Sequence, residues 1–382
     1  MQLRRIFPIG LVGVAAGQSG SPNLLTALQP QNVQLSPLNG LIQNSTGLTQ
    51  QFSQLTNVTL LAPSNDAIQK ILAGPLAPEL SQPGVFQLLV NYLTLNGTYY
   101  ASNFTQNMPM FIPTHLTNPM FDLVDGGQRV EILASGGNIT AFSALKQPSN
   151  FVTTNVNFTG GTIHIIDTVT VVPLNTSYTL GALNLTAAAG AIQFAGLITT
   201  ADTMPDITIF VPNNAAFAAV ASVFSNLSMA QVAQGLKDHA IPGFVGPSST
   251  FTNGTLTTVA GGSVNITVIG STVFVNDAKV IIPDILVRNG VIHVIDQVLN
   301  PGQTGSNPQI NASTTTMAWT SASSGTAGIP FTSGVAVPGS IVPTNTGSPV
   351  ATTIPMAPAN PIKTGVVVAA ALFGGAAIMM NL

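Results

Sequence analysis

The sequence predicts an α+β fold built twice in tandem, and three observations carry that prediction. A pair of sequence boxes recurs in the same order. An apolar stripe at helical spacing lies between the boxes of each copy. Other stretches alternate apolar and polar residues, as hairpin strands do. Composition agrees: 45% of the 382 residues are hydrophobic, enough for real cores. At about 150 residues per domain, the length accommodates two domains with extra segments.

The first box is a short apolar strand that stops at proline and enters a helix. TLLAPSNDA at 59–67 matches TIFVPNNAA at 208–216, with Thr59/Thr208, Pro63/Pro212, Asn65/Asn214 and Ala67/Ala216 identical. Proline ends the ladder, and Asn65 or Asn214 is expected to cap the helix. The next helix carries Val85, Leu88, Leu89 and Tyr92 as its stripe in copy one. In copy two Ser228 is the expected cap, Met229, Val232, Ala233, Leu236 and Ala240 form the stripe, and Pro242-Gly243 stops it. The second box, GTIHIIDTV at 161–169 and GVIHVIDQV at 290–298, is a β-branched run broken by one His. Such a run suits a strand buried on both faces. The boxes lie 102 residues apart in copy one and 82 in copy two. Thr59 to Tyr92 spans 33 residues and Thr208 to His239 spans 31, so the extra length falls after the helix. Residues 99–121, a Pro- and Met-bearing stretch, are its expected place, as a surface excursion. Residues 262–277, GSVNITVIGSTVFVND, read as a hairpin.

The ends read as addresses. Residues 1–17, with Arg4 and Arg5 before a short apolar run, have the layout of a signal peptide cleaved before Gln18. The alternative, an N-terminal anchor, has too short an apolar run to span a bilayer. Residues 301–347 are rich in Ser, Thr and Pro and read as an extended, O-glycosylated stalk that buries too little apolar surface to fold. Residues 348–382 hold a polar spacer and an uncharged apolar tail, the order of a GPI-attachment signal, with Asn345 and Gly347 as candidate attachment residues. The alternative is a plain C-terminal membrane helix.

Charge is scarce: 5% of residues, against about 25% in an ordinary soluble domain. Twelve N-x-S/T acceptors stand in its place, at Asn44, Asn57, Asn96, Asn103, Asn138, Asn157, Asn175, Asn184, Asn226, Asn253, Asn265 and Asn311. Glycans there would supply the solubility that charge ordinarily gives. With Arg4, Arg5 and Lys363 lost in processing, twelve acids face six bases, which excludes a nucleic-acid surface. No cysteine is present, so disulfide scaffolds, thiol catalysis and Cys-based zinc sites are excluded.

The boxes, in this order, resemble the fasciclin domain. The family's first box looks like TVFAPTNEAF, matched by TLLAPSNDAI and TIFVPNNAAF. Its last box looks like NGVIHVID, matched letter for letter at 289–296 and more loosely at 160–167. The family's helix ends in a Tyr-His pair followed by an apolar pair, Pro and Gly. Copy two has Asp238-His239 before Ala240, Ile241, Pro242 and Gly243; copy one has Asn91-Tyr92 and keeps neither member in place. The resemblance covers about residues 22–300 and marks 18–173 and 174–300 as fasciclin-like domains. It implies, for each, a β-sandwich wedge with packed helices, and a role in cell adhesion or the extracellular matrix. It also draws attention to Asp284-Ile285, which stand where animal relatives carry a pair linked to integrin contact. Copy one has Asn150-Phe151 near that place. The stronger reading of Asp284 and Ile285 is structural, with the acid bracing a turn and the isoleucine filling the core. Together with Asp238 and His239 they are the candidate interaction residues.

Nothing in the sequence singles out a catalytic residue, a metal site or a cofactor site. The four histidines are His115, His164, His239 and His293. His164 and His293 sit at equivalent strand positions, which points to a shared structural duty. Neither HExxH, G-x-S-x-G nor a Gly-rich phosphate loop occurs. Asp167 and Asp296 close their strands alike, as a duplicated turn would. His239 reads as a core hydrogen-bonding spacer whose place Tyr92 takes in copy one. The expected function is that of a non-enzymatic surface or wall glycoprotein, binding matrix or wall glycans or proteins, held to the membrane by a GPI anchor. Homotypic contacts are a further expectation. The alternatives are a structural wall glycoprotein without a specific ligand and, less favoured, a secreted hydrolase acting on wall polysaccharide.

Overall fold

In the computed structural model, residues 21–73, 84–300, 308, 318–319, 322–323 and 328–335 are described. The leader, Asn311, Asn345, Gly347 and the apolar tail lie outside them. Domain one starts with α1 (Leu24–Leu28), α2 (Asn32–Gln43) and α3 (Thr46–Gln54), which lead into β1 (Val58–Pro63). Then come α4 (Asn65–Leu72), α5 (Val85–Leu93), β2 (Thr94–Asn96), β3 (Met110–Pro113), β4 (Arg129–Ser135), β5 (Asn138–Phe142), β6 (Pro148–Phe158) and β7 (Gly161–Ile166). Domain two repeats the order: α6 (Thr176–Ala182), α7 (Thr186–Phe194), α8 (Ile198–Thr203), β8 (Ile207–Pro212), α9 (Asn214–Ala219), α10 (Ala221–Phe224) and α11 (Met229–Lys237). Its strands continue as β9 (Ala240–Ile241), β10 (Gly254–Thr257), β11 (Ser263–Ile269), β12 (Thr272–Val275), β13 (Ala278–Val287) and β14 (Gly290–Ile295).

The sheets match strand for strand, in the orders β2-β1-β7-β6-β5-β4-β3 and β9-β8-β14-β13-β12-β11-β10. The two boxes lie side by side as the parallel pairs β1/β7 and β8/β14. Every residue of β1 and β14 is buried. Each sheet turns a corner along one long strand. β6 pairs with β5 through residues 148–150 and with β7 through 151–158, and β13 divides in the same way. The glycine that opens the second box is required by close approach. A Cβ at Gly161 or Gly290 would stand 1.8 Å from the carbonyl oxygen of Val58 or Ile207.

Several sequence expectations change. Ser64 and Asn213 cap α4 and α9 through the backbone N–H groups of Ala67 and Ala216. The next residues staple an earlier helix instead: Asn65 bonds the Val33 carbonyl, and Asn214 bonds Asn184 and Ala187. Ser228 does cap α11, but the helix ends at Lys237 because Ala240 and Ile241 pair with β8. Met229 is 56% exposed and lies off the buried stripe. Half of the extra length of copy one sits between β3 and β4, as residues 114–128, where copy two has only 258–262. It is no surface excursion. Leu116, Phe121 and Val124 are buried, and Leu123 and Gln128 bond domain two.

The segment expected to be wholly extended stalk is partly packed. Trp319 Nε1–H donates to the Val298 carbonyl at 3.1 Å, and Ala318 N–H donates to the Gln297 side chain at 2.9 Å. Phe331 closes over Phe194, Phe217 and Phe224, at 5.1–6.3 Å between ring centres. The few aromatic residues in this Ser/Thr-rich stretch provide apolar area that composition averages hide.

Candidate functional site

Asp284 sits at an irregularity of β13, between the pairs Ile282/Val294 and Ile285/Ile292. Its φ is +63°, a conformation that Asp and Asn tolerate better than most residues. The carboxylate accepts from Ser248 N–H at 2.6 Å and from the Ser248 hydroxyl. Its own N–H donates to His293 Nδ1 at 3.3 Å, and His293 Nε2–H donates to the Gly246 carbonyl at 2.8 Å. Both imidazole nitrogens are thus held by backbone, in the neutral form. Burial lowers the His293 pKa, against the opposing pull of Asp284. Ser248, Asp284 and His293 share a site without forming a nucleophile–base pair, since the hydroxyl goes to the carboxylate and the imidazole to main chain.

Domain one repeats the arrangement with different letters. Asn155 has φ +62°, its N–H donates to His164 Nδ1 at 3.3 Å, and its side-chain oxygen accepts from Ala101 N–H at 2.8 Å. His164 Nε2 faces the Tyr99 carbonyl at 2.8 Å. The counterpart of Asp284-Ile285 is therefore Asn155-Val156; Asn150-Phe151 lie five residues earlier. Asn150 instead meets Asp167, which accepts from its N–H at 2.8 Å, just as Asp296 accepts from Lys279 N–H at 2.7 Å.

The candidate interaction residues are interior. Asp284 is 2% exposed, Ile285 1%, Asp238 6% and His239 4%. None presents its side chain to a partner, so a contact surface at these four positions is corrected to a structural role. His239 Nδ1–H donates to the Gly235 carbonyl at 2.8 Å, and Nε2 accepts from Leu299 N–H at 3.0 Å. Asp238 accepts from Thr258 Oγ1 at 3.0 Å. Strand register sets Leu93, not Tyr92, opposite His239: Thr94 pairs with Leu60 as Ala240 pairs with Ile209. Tyr92 corresponds to Asp238; Tyr92 donates to the carbonyl of Arg129, the first residue of β4, at 3.1 Å, while Asp238 reaches the loop before β11.

Asp284 is buried while Asn155 is exposed. The difference comes from the domain junction. The turn at residues 144–146, with Leu145 and Lys146 both at positive φ, packs against β13. Lys146 Nζ donates to Glu131 at 2.7 Å. Burial pushes the Glu131 carboxyl up to about 7, with Lys146 opposing and Asp284 reinforcing the rise. The 114–128 loop completes the junction. Gln128 Nε2 donates to the Val287 and Arg288 carbonyls, Leu123 N–H to the Arg288 carbonyl, and Arg288 Nη2 to the Pro119 carbonyl at 2.9 Å. Sequence reasoning missed this junction, for which the twenty additional residues of copy one, ten of them in this loop, were the available signal. Nine of the eleven described glycan acceptors are exposed, while Asn175 and Asn265 are half-buried. Among the described residues, no cluster of three His, Asp or Glu could hold a metal ion.

Comparison with known proteins agrees with this duplicated plan. The fasciclin domain model matches residues 33–172 and 183–301. A "Fasciclin-like arabinogalactan protein" of Arthroderma benhamiae is 30% identical over 313 residues, covering 81% of this chain and 74% of that protein. The "Fasciclin-like arabinogalactan protein elcF" of Phaeosphaeria nodorum is 27% identical, covering 73% of this chain and 89% of that protein. A solved FAS1 domain pair from the insect cell adhesion molecule Fasciclin I is 18% identical, with a TM-score of 0.34 over 71% of this chain and 98% of that one. With both copies matched by the family model over most of its length, this chain belongs to the fasciclin domain family.

Proposed function

We propose that the protein is a cell-surface or cell-wall glycoprotein that engages neighbouring wall or matrix glycans or proteins through its paired fasciclin domains. The observation that carries this reading is the exposure of nine N-glycan acceptors spread over two docked domains. The fungal relatives named as fasciclin-like arabinogalactan proteins support the same compartment. The C-terminal sequence order supports GPI anchoring at Asn345 or Gly347. Weak contacts by each copy would add through multivalency when many chains share one surface. Homotypic contacts between chains would act in the same way.

One experiment tests the proposal. Intact cells are treated with phosphatidylinositol-specific phospholipase, and the released protein is assayed on wall polysaccharide as monomer and after antibody clustering. Release into the medium is expected, with clustering raising apparent affinity about 100-fold. Retention on the cells would overturn the GPI anchor. Equal binding by monomer and cluster would overturn multivalent adhesion and favour a structural wall component without a specific ligand.

A further inference from the structure

Domain two contains an apolar cleft that domain one has filled. It opens between α8 and α11 and has a volume of about 80 Å³. That is below the roughly 300–1,000 Å³ of drug-sized sites and leaves room only for a short chain. Leu180, Ile192, Leu197, Met204, Phe217 and Leu236 line it. His239 contributes no free polar atom, because both its nitrogens are bonded to main chain.

The two copies explain the opening. Ala201 stands seven residues before Thr208, as Phe52 stands seven before Thr59. Phe52 is 3% exposed and fills the core beneath α3, whereas Ala201 only lines the cleft. Over Phe52, α3 and α5 are laced together: Gln51 Nε2 donates to Asn91 Oδ1 at 2.8 Å, and Gln87 donates to both Gln51 and Asn91. By the strand register, the same positions in domain two hold Thr200, Lys237 and Ala233, which cannot rebuild that lacing. Thr200 and Lys237 instead border the cleft. Lys237 is half-buried and has no ion-pair partner among the described residues.

We propose that this cleft binds a slender apolar carboxylic acid, its chain taking the space Phe52 fills in domain one and its carboxylate meeting Lys237 and Thr200 at the mouth. An apolar chain gains from leaving water for such a lining. A cation at the rim selects an anionic head over a neutral one.

The test is calorimetric titration of the full-length chain, produced in a eukaryotic secretion host, with hexanoic acid and with hexanol. Saturable one-to-one binding of the acid is expected. Lys237→Gln should weaken the acid at least tenfold and leave hexanol unchanged. Ala201→Phe should abolish both, with its melting transition and Trp319 emission checking that it folds. If that variant does not fold, the acid/alcohol contrast in Lys237→Gln decides alone. Absence of saturable binding, equal binding by a folded Ala201→Phe, or equal loss of acid and alcohol in Lys237→Gln would overturn the proposal. Acid binding seen only in a chain lacking residues 365–382 would overturn it in favour of that apolar tail as occupant.

Discussion

At the scale of single residues, Asp284 shows how one position carries both backbone geometry and polar satisfaction. Its left-handed φ is tolerated by Asp and Asn, and its carboxylate satisfies the Ser248 N–H and hydroxyl. Asn155 does the same work in domain one with an amide oxygen. Asp284→Asn is therefore expected to keep the fold within about 1 kcal/mol of the native protein. Asp284→Ala strips the acceptor from the Ser248 N–H and hydroxyl and removes the short polar side chain that makes positive φ tolerable, at a cost of roughly 2–4 kcal/mol. Urea denaturation of both variants checks this, and equal losses would refute the shared role. The Asp-Ile pair was legible as letters. Its counterpart was not, because the unequal loops between the boxes hide the register, and only the ladder to β7 identifies Asn155.

At the scale of elements, helices and boxes were legible and their partners were not. Apolar spacing announced α5 and α11, but the point where α11 stops depends on strand pairing. The strap that Trp319 and Phe331 pack onto domain two illustrates this further. A Cβ at Gly190 would stand 1.7 Å from the Phe331 carbonyl oxygen, so α7 needs glycine where the strap crosses it. Gly190→Ala would gain about 1 kcal/mol of helix propensity. The backbone clash outweighs this gain, and a net loss of roughly 1–2 kcal/mol is expected as the strap lifts. Trp319 is the sole tryptophan and reports directly. Its emission should shift to longer wavelength in the variant, and an unchanged spectrum would show that the strap stays seated.

At the scale of the whole molecule, the domain junction makes stability depend on pH. Burial at the junction raises the Glu131 carboxyl from its ordinary 4.5 to about 7, so its protonated form is favoured in the native state. A raised pKa stabilises below the unfolded value, and that contribution is lost as pH rises through the folded value. Glu131 thus adds up to about 3 kcal/mol as pH falls from 7 to 4.5. The buried, neutral His164, His239 and His293 oppose it, because their lowered pKa values cost stability as pH falls below 6.5. Glu131→Gln should remove the carboxyl contribution and leave the histidine one. Measured stability of the variant should therefore fall more steeply on acidification than that of the native protein. Parallel pH profiles would refute the role of Glu131.

The sequence by itself determined the duplication, the strand-to-helix punctuation of each box and the apolar elements that build each core. These are local properties, set by residue spacing, proline and β-branched runs. Tertiary structure alone decided that the 114–128 loop joins the domains, that Asp284 is covered while Asn155 is not, and that Ala201 opens a cleft where Phe52 closes one. Those outcomes depend on which surfaces meet between segments far apart along the chain. Burial and electrostatics act through space, and no periodicity along the sequence records that distance.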